Sequence, residues 1–109
     1  MSAPLPAIET VPRPEGHKRE NRYSFRLKDG DKVRSVPKLQ YMSGEGTAFI
    51  EEAIEKSFDE VRLTRALLAI ECPAIAGEVA SLHADQILWL SKKWAAASAI
   101  TVGESDGSE

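Results

Sequence analysis

The chain contains one cysteine and two histidines, and it has no apolar run long enough to cross a bilayer. A single cysteine, Cys72, excludes an internal disulfide and any zinc site built from paired cysteines. His17 and His83 lie far apart in the sequence, without the H-x-x-x-H spacing that places two ligands on one helical face. We therefore expect no metal site and no cofactor.

Motifs that support catalysis are also missing. No G-x-S-x-G elbow is present, Cys72 has no histidine nearby in sequence to activate it, and Gly44-Glu-Gly46 lacks the lysine of a phosphate-binding loop. Three glutamates, Glu51, Glu52 and Glu55, share the polar face of a predicted helix, where solvation alone explains them. The sequence therefore predicts no catalytic residues and no enzymatic activity.

The charge balance argues against nucleic acid as the main partner. The net charge is −3, from 14 Lys and Arg against 17 Asp and Glu, whereas a duplex-binding protein needs a basic footprint. Basic residues do concentrate in the first third of the chain, so a small nucleic-acid-binding regulator stays an alternative. They are Lys18, Arg19, Arg22, Arg26, Lys28, Lys32, Arg34 and Lys38.

The N-terminal segment lacks a charged region followed by an apolar stretch, so no secretory signal is visible and we expect a cytosolic protein. Residues 1–21 contain Pro4, Pro6, Pro12 and Pro14 and have few apolar groups to bury. Because proline disfavours both helix and central strand, this composition predicts a flexible arm. A ligand for an aromatic groove is the alternative interpretation.

Residues 22–99 have the patterning of one compact domain. Tyr23, Phe25 and Leu27 alternate with polar residues, Asp29-Gly30 is a turn signal, and a second strand ends before Pro37, which predicts a β-hairpin at about 23–36. An isolated hairpin is only marginally stable, so its apolar face must rest on other elements.

Those elements are predicted to be helices. Apolar residues recur at three- and four-residue spacing from Thr47, and Ser57-Phe-Asp-Glu60 has the form of a capping box. We therefore expect helices at about 46–56 and 58–71, with one longer helix as the alternative. Pro73 suits the first turn of a helix at 73–80, and Ser81 offers a cap for a last helix at about 84–98. Residues 100–109 predict a flexible acidic tail. The predicted fold class is mainly α with a short N-terminal hairpin (α+β), a small bundle of three to four helices packed on the hairpin.

The last predicted helix carries both tryptophans. Trp89 and Trp94 are five residues apart and point about 140° apart on a helix, so one face does not bury both. Ile87, Leu90 and Trp94 share one side, and Trp89 lies on another. Because an exposed Trp is a common anchor for protein partners, we take Ile87, Trp89, Leu90 and Trp94 as candidate partner-binding residues, some of which must be core. The alternative is that both rings complete a thin core.

Residues 23–109 resemble the tail assembly chaperones of long-tailed (siphovirus-type) actinobacteriophages. The resemblance rests on the order of four features along the chain. These are Val36-Pro37-Lys38-Leu39 after the hairpin, Leu67-Leu68-Ala69 in the second helix, Leu90-Ser-Lys-Lys-Trp94 in the last helix, and the ending Ala95-Ala-Ala-Ser-Ala-Ile-Thr-Val-Gly-Glu-Ser105.

The resemblance implies a non-catalytic protein that coats the tape measure protein and keeps it soluble in the host cytoplasm during tail assembly. Such chaperones are absent from the finished virion, and many have a second, longer form made by ribosomal frameshifting near the end of the short one. The expected partners are therefore the tape measure protein and the longer product of the same gene, with self-association left open. A small virion structural protein of the tail or connector, whose arm orders on assembly, is the other alternative.

Overall fold

The computed structural model describes residues 7–106, with side chains described through Ala99. It contains two strands, β1 (Arg22–Phe25) and β2 (Arg34–Pro37), and four helices, α1 (Gly44–Lys56), α2 (Glu60–Glu71), α3 (Ala76–Ala80) and α4 (Ala84–Asp106). Short 3-10 turns lie at Arg19–Asn21, Leu39–Tyr41 and Pro73–Ile75. This architecture confirms the predicted fold class, a small helical bundle with an N-terminal hairpin.

The hairpin is antiparallel, with Arg22 opposite Pro37 and Phe25 opposite Arg34. Its strands are shorter than the sequence predicts, because residues 26–33 form a wide turn. Gly30 takes a positive φ of 78° in that turn, as the Asp-Gly signal predicts. The apolar face rests on the helices, and Phe25 is buried there.

The helical break near Ser57 is confirmed, but the predicted role of Ser57 is wrong. Ser57 has a φ of 58° and ends α1 in the left-handed conformation, so it does not cap the second helix. Asp59 is that cap, and its Oδ1 accepts a 2.8 Å hydrogen bond from the Arg62 N–H. The chain needs Ser57 and Phe58 to reverse direction, which moves the start of α2 from about 58 to Glu60.

A polar cluster joins the start of α1 to the end of α2. The Ser43 hydroxyl accepts a hydrogen bond from Gly46 N–H at 3.0 Å and donates one to the Glu71 carboxylate at 2.7 Å. A Cβ at position 46 would collide with that carboxylate and approach Met42 Cγ to 2.7 Å. Glycine at position 46 is therefore what allows the two helix ends to approach.

The start of the last helix also differs from the prediction. Ser81 ends α3 and does not cap α4. The cap lies two residues later, where the Gln86 side chain accepts a 2.8 Å hydrogen bond from the His83 N–H. Arg65 fixes the turn between the two helices by donating to three backbone carbonyls, those of Val79, Ala80 and Leu82.

At both ends of the domain, the structure reaches further along the chain than the sequence predicts. Helix α4 ends at Asp106 rather than at about 98, because Ala95–Ala97 favour continuation of the helix and no proline follows them. On the N-terminal side, packing begins before residue 22, since Asn21 is buried and its amide donates to the Glu15 carbonyl at 3.0 Å. Residues 7–14 have no regular secondary structure. Residues 1–6 of the predicted arm (1–21) and residues 107–109 of the predicted tail (100–109) lie outside the described residues.

Helix α2 is central, with α1 packed on one side and α4 on another. The core combines residues of the hairpin and of three helices with one from a 3-10 turn. Its buried members are Phe25, Val36, Leu67, Leu68, Ile75, Val79, Ile87, Leu90 and Trp94.

Candidate protein-binding surface

The structure separates the four candidate residues of the last helix into two groups. Ile87, Leu90 and Trp94 are buried, and Trp94 is only 2% exposed. The Trp94 indole Nε1 donates a 2.8 Å hydrogen bond to the Pro37 carbonyl and so ties α4 to the end of the hairpin. These three side chains hold the fold together and offer little surface to a partner.

Trp89 is the member of the set that faces solvent, with 53% of its surface exposed. The two tryptophans therefore lie in different environments, as their angular separation on the helix predicts. Trp89 lies one residue from Leu88, which is also exposed. The Lys93 ammonium lies 5.7 Å from the centroid of the Trp89 ring, at the outer range of a cation–π contact.

Trp89 forms one wall of a groove of about 310 Å³ between the start of α4 and the end of β1. We call this feature the Trp89 groove. Its apolar lining consists of Trp89 with the buried Leu90 and the half-buried Leu27 and Leu82, and its exposed polar lining consists of Arg26, Asp85 and Gln86. An aromatic side chain beside aliphatic residues, with charges of both signs at the edge, has the make-up of a protein-contact surface.

Sequence reasoning identified Trp89 and Leu90 but missed the residues of the hairpin that complete the groove. The alternation of Tyr23, Phe25 and Leu27 was the available signal, since it places Leu27 on the face that meets the helices. Asp85 gives only a local signal in the sequence, that of an acidic residue in the first turn of a helix. Its position opposite the hairpin depends on tertiary packing, which the local pattern does not contain.

Four other clefts among the described residues are larger. Two of them, of about 430 and 350 Å³, lie between Tyr41 and residues of the N-terminal segment. The other two are more apolar, and neither has an aromatic wall. One, of about 660 Å³, runs between α2, α3 and the start of α4 and is lined mainly by small side chains, among them Ala66, Ala69, Ala76, Ala80 and Ala84. The other, of about 520 Å³, is lined by Leu39, Gln40, Ala95, Ser98 and Ala99. Without an aromatic side chain to anchor a partner, these two grooves are weaker candidates than the Trp89 groove.

Several of the basic side chains near the hairpin make contacts within the chain. Arg22 donates to the Ser35 hydroxyl at 2.8 Å, to the Ser35 carbonyl at 2.9 Å and to the Gly16 carbonyl at 2.7 Å. Arg26 donates to the Asp31 carbonyl at 3.1 Å. Guanidinium groups held in this way have fewer donors free for phosphate.

Within the described part of the chain, the three glutamates of the predicted polar face do not form a second site. Glu51, Glu52 and Glu55 are all exposed, and Glu52 forms a 2.8 Å ion pair with Lys56 one turn away. Burial raises the pKa of the Tyr23 hydroxyl, which belongs to the hairpin face against the core.

Among residues 7–106, no cluster of three or more His, Cys, Asp or Glu side chains is placed to hold a metal ion. The helices within this range include none that is long and apolar enough to span a membrane. Comparisons with protein-family models, with curated proteins and with solved structures gave no match to this chain.

Proposed function

We propose that this chain is a binding protein that holds an apolar segment of a client against the Trp89 groove. Half-exposed Trp89, beside Leu27 and Leu82 in a groove of about 310 Å³, is the observation that carries the proposal. The resemblance of residues 23–109 to tail assembly chaperones supplies the identity of the client. In this proposal the chain is a phage tail assembly chaperone, and its client is the tape measure protein.

The binding mechanism follows from the position of Trp89 on a rigid helix. Trp89 and Leu88 offer apolar area to a client helix, while Arg26, Asp85 and Lys93 remain near solvent to meet polar groups beside it. One such contact gives modest affinity, but many copies along a long client gain from multivalency. Binding shifts the client away from aggregation by mass action, so neither catalysis nor a cofactor is required.

The direct experiment is co-expression with a tape measure protein from the same genome, followed by co-purification and a binding titration. Trp89→Ala is expected to weaken client binding about tenfold or more, the usual size of an aromatic hot spot. Ile54→Ala is the matched control, because Ile54 is 73% exposed on α1, outside the groove. Thermal melting must show that both variants stay folded. Normal binding by Trp89→Ala, or an equal loss in Ile54→Ala, would contradict the proposal.

The predicted longer form has its own test, expression of the native locus with its downstream nucleotides. An antibody raised against residues 1–40 is expected to detect the chain and a minor, longer product with the same N-terminus. A single band of the length of this chain would show that no longer form is made, and frameshifting would then not support the chaperone proposal.

A small virion structural protein is the second candidate, and the N-terminal segment favours it. Residues 7–14 carry exposed Ile8 and Val11, as expected of an arm that orders when subunits assemble. Mass spectrometry of purified particles separates the two candidates. A chaperone is expected to be missing from the particles, and a structural protein is expected to be present in fixed copy number.

A further inference from the structure

The N-terminal segment presents an apolar edge that its own chain does not cover. Ile8 is 96% exposed and Val11 is 87% exposed, within residues 7–14 that form no helix or strand. Prolines at 12 and 14 favour an extended, polyproline-type backbone with three residues per turn. At this period Ile8 and Val11 project from the same edge, roughly 9 Å apart along the axis. In the sequence, Leu5 and Pro14 continue the same spacing.

The segment is attached firmly to the body of the protein at its C-terminal end. The Glu15 carbonyl accepts from the Asn21 amide, and the Gly16 carbonyl accepts from Arg22. Gly16 lies so close to the backbone that a Cβ there would approach the Tyr41 carbonyl oxygen to 2.7 Å. The arm therefore starts from a fixed point, and an extended ligand that starts from a fixed point loses less conformational entropy on docking.

The Trp89 groove has the properties that such an arm needs in a receptor. Extended proline-rich segments are bound by grooves with aromatic walls. Two clefts beside Tyr41 are already lined in part by the N-terminal segment of the same chain, at Pro14 among other residues, whereas no residue of that segment lines the Trp89 groove. Its volume of about 310 Å³ is near the lower end for ligand cavities, which suits a few aliphatic side chains. Both surfaces carry one charge of each sign. Arg26 and Asp85 line the groove, and Glu9 and Arg13 flank the apolar edge of the arm, so opposite charges are available to pair across the contact.

We propose that the arm of one copy of this chain docks its Ile8–Val11 edge in the Trp89 groove of a second copy. Ile8 and Val11 contact almost nothing of their own chain, so their edge is free to meet a partner in trans. Each copy then offers one arm and one groove, so the contact is head-to-tail and joins copies into open chains or closed rings. The arm competes with any client for the groove, but its docking does not depend on what that client is.

Sedimentation of the full chain over a range of concentrations tests the proposal. The wild-type chain is expected to form larger species as concentration rises. Ile8→Ser/Val11→Ser, which removes the arm contact, and Trp89→Ala, which removes the groove contact, are each expected to stay monomeric. Ile54→Ser, at an exposed apolar position on α1, is the control and is expected to associate like the wild type. A wild-type chain that stays monomeric at every concentration would overturn the proposal.

Mixing the two monomeric variants is the decisive step. Ile8→Ser/Val11→Ser keeps its groove and Trp89→Ala keeps its arm, so the mixture is expected to form a 1:1 dimer and nothing larger. A symmetric contact between two Trp89 rings, or docking of the arm on its own chain, predicts no dimer in the mixture, and that result overturns the proposal. Client binding is measured separately with Ile8→Ser/Val11→Ser, which retains the groove. If the mixture forms the dimer but Ile8→Ser/Val11→Ser does not bind the client, the proposed function is refuted and the docking of the arm is not.

Discussion

Replacement of each tryptophan by phenylalanine should separate the buried ring, which supports the fold, from the exposed ring, which is proposed to bind a partner. The Trp94 indole is buried and donates to the Pro37 carbonyl at 2.8 Å, and Pro37 is itself buried. Phenylalanine at position 94 leaves that carbonyl without its donor, which costs about 1–3 kcal/mol. The smaller ring also leaves a cavity, at about 1 kcal/mol or more. The expected loss for Trp94→Phe is therefore about 2–4 kcal/mol in the free energy of unfolding.

Trp89→Phe is the matched control because it makes the same chemical change on the same helix. At 53% exposure it removes no buried hydrogen bond that the structure shows, so the expected change is within about 0.5 kcal/mol. Urea unfolding followed by circular dichroism measures both variants, and an unchanged m-value shows that the midpoints report stability. Equal losses in the two variants, or a Trp94→Phe midpoint equal to that of the wild type, would refute the assignment of Trp94 to the core.

Three further predictions concern local structure. Gly46→Ala is expected to lower the free energy of unfolding by about 1–3 kcal/mol, because the added methyl group meets the Glu71 carboxylate. Gly44 has open space around it, so Gly44→Ala should raise the free energy of unfolding by about 0.5–1 kcal/mol in the same urea assay. Asp59→Ala is expected to lose about 1 kcal/mol of stability, because it removes the cap of α2. Ser57→Gly is expected to gain up to about 1 kcal/mol of stability, because glycine adopts the left-handed conformation without strain. A loss of stability in Ser57→Gly would instead support the capping-box interpretation of Ser57. The Tyr23 pKa is raised above 10.0 in the folded state, so the folded protein keeps a proton that the unfolded chain releases. Stability should therefore fall as pH rises above about 10, and Tyr23→Phe should remove this part of the fall, as urea midpoints measured against pH would show.

The architecture was predictable because local patterns and tertiary packing agree over most of the chain. The alternation at Tyr23, Phe25 and Leu27 and the three- and four-residue spacing after Thr47 are both consequences of one buried face. Helix ends were less predictable because several polar residues near each break are able to cap. Ser57 and Asp59 both fit the capping pattern, and only the direction in which the chain turns decides between them.

The candidate site was predictable only in part, for a geometric reason. The helical angle between Trp89 and Trp94 shows that the rings face different directions, but it does not say which one meets the hairpin. That choice depends on Pro37, more than fifty residues away in sequence, whose carbonyl receives the indole hydrogen bond. The groove itself requires Leu27 and Leu82 to meet beside α4, which is a property of the fold rather than of either segment.

Helix α4 has a buried side and an exposed side, and under the proposed function this links stability to binding. Its buried side, with Ile87, Leu90 and Trp94, holds the hairpin, and its exposed side presents Trp89 five residues before the tie to Pro37. A partner that binds only the folded groove stabilises the whole domain by mass action. Binding at Trp89 should thus raise the unfolding midpoint of the wild type in proportion to the logarithm of ligand concentration. Leu90 lines the groove and also belongs to the core, so its truncation would weaken both properties together, whereas Trp89 is the position at which binding changes while the fold stays intact.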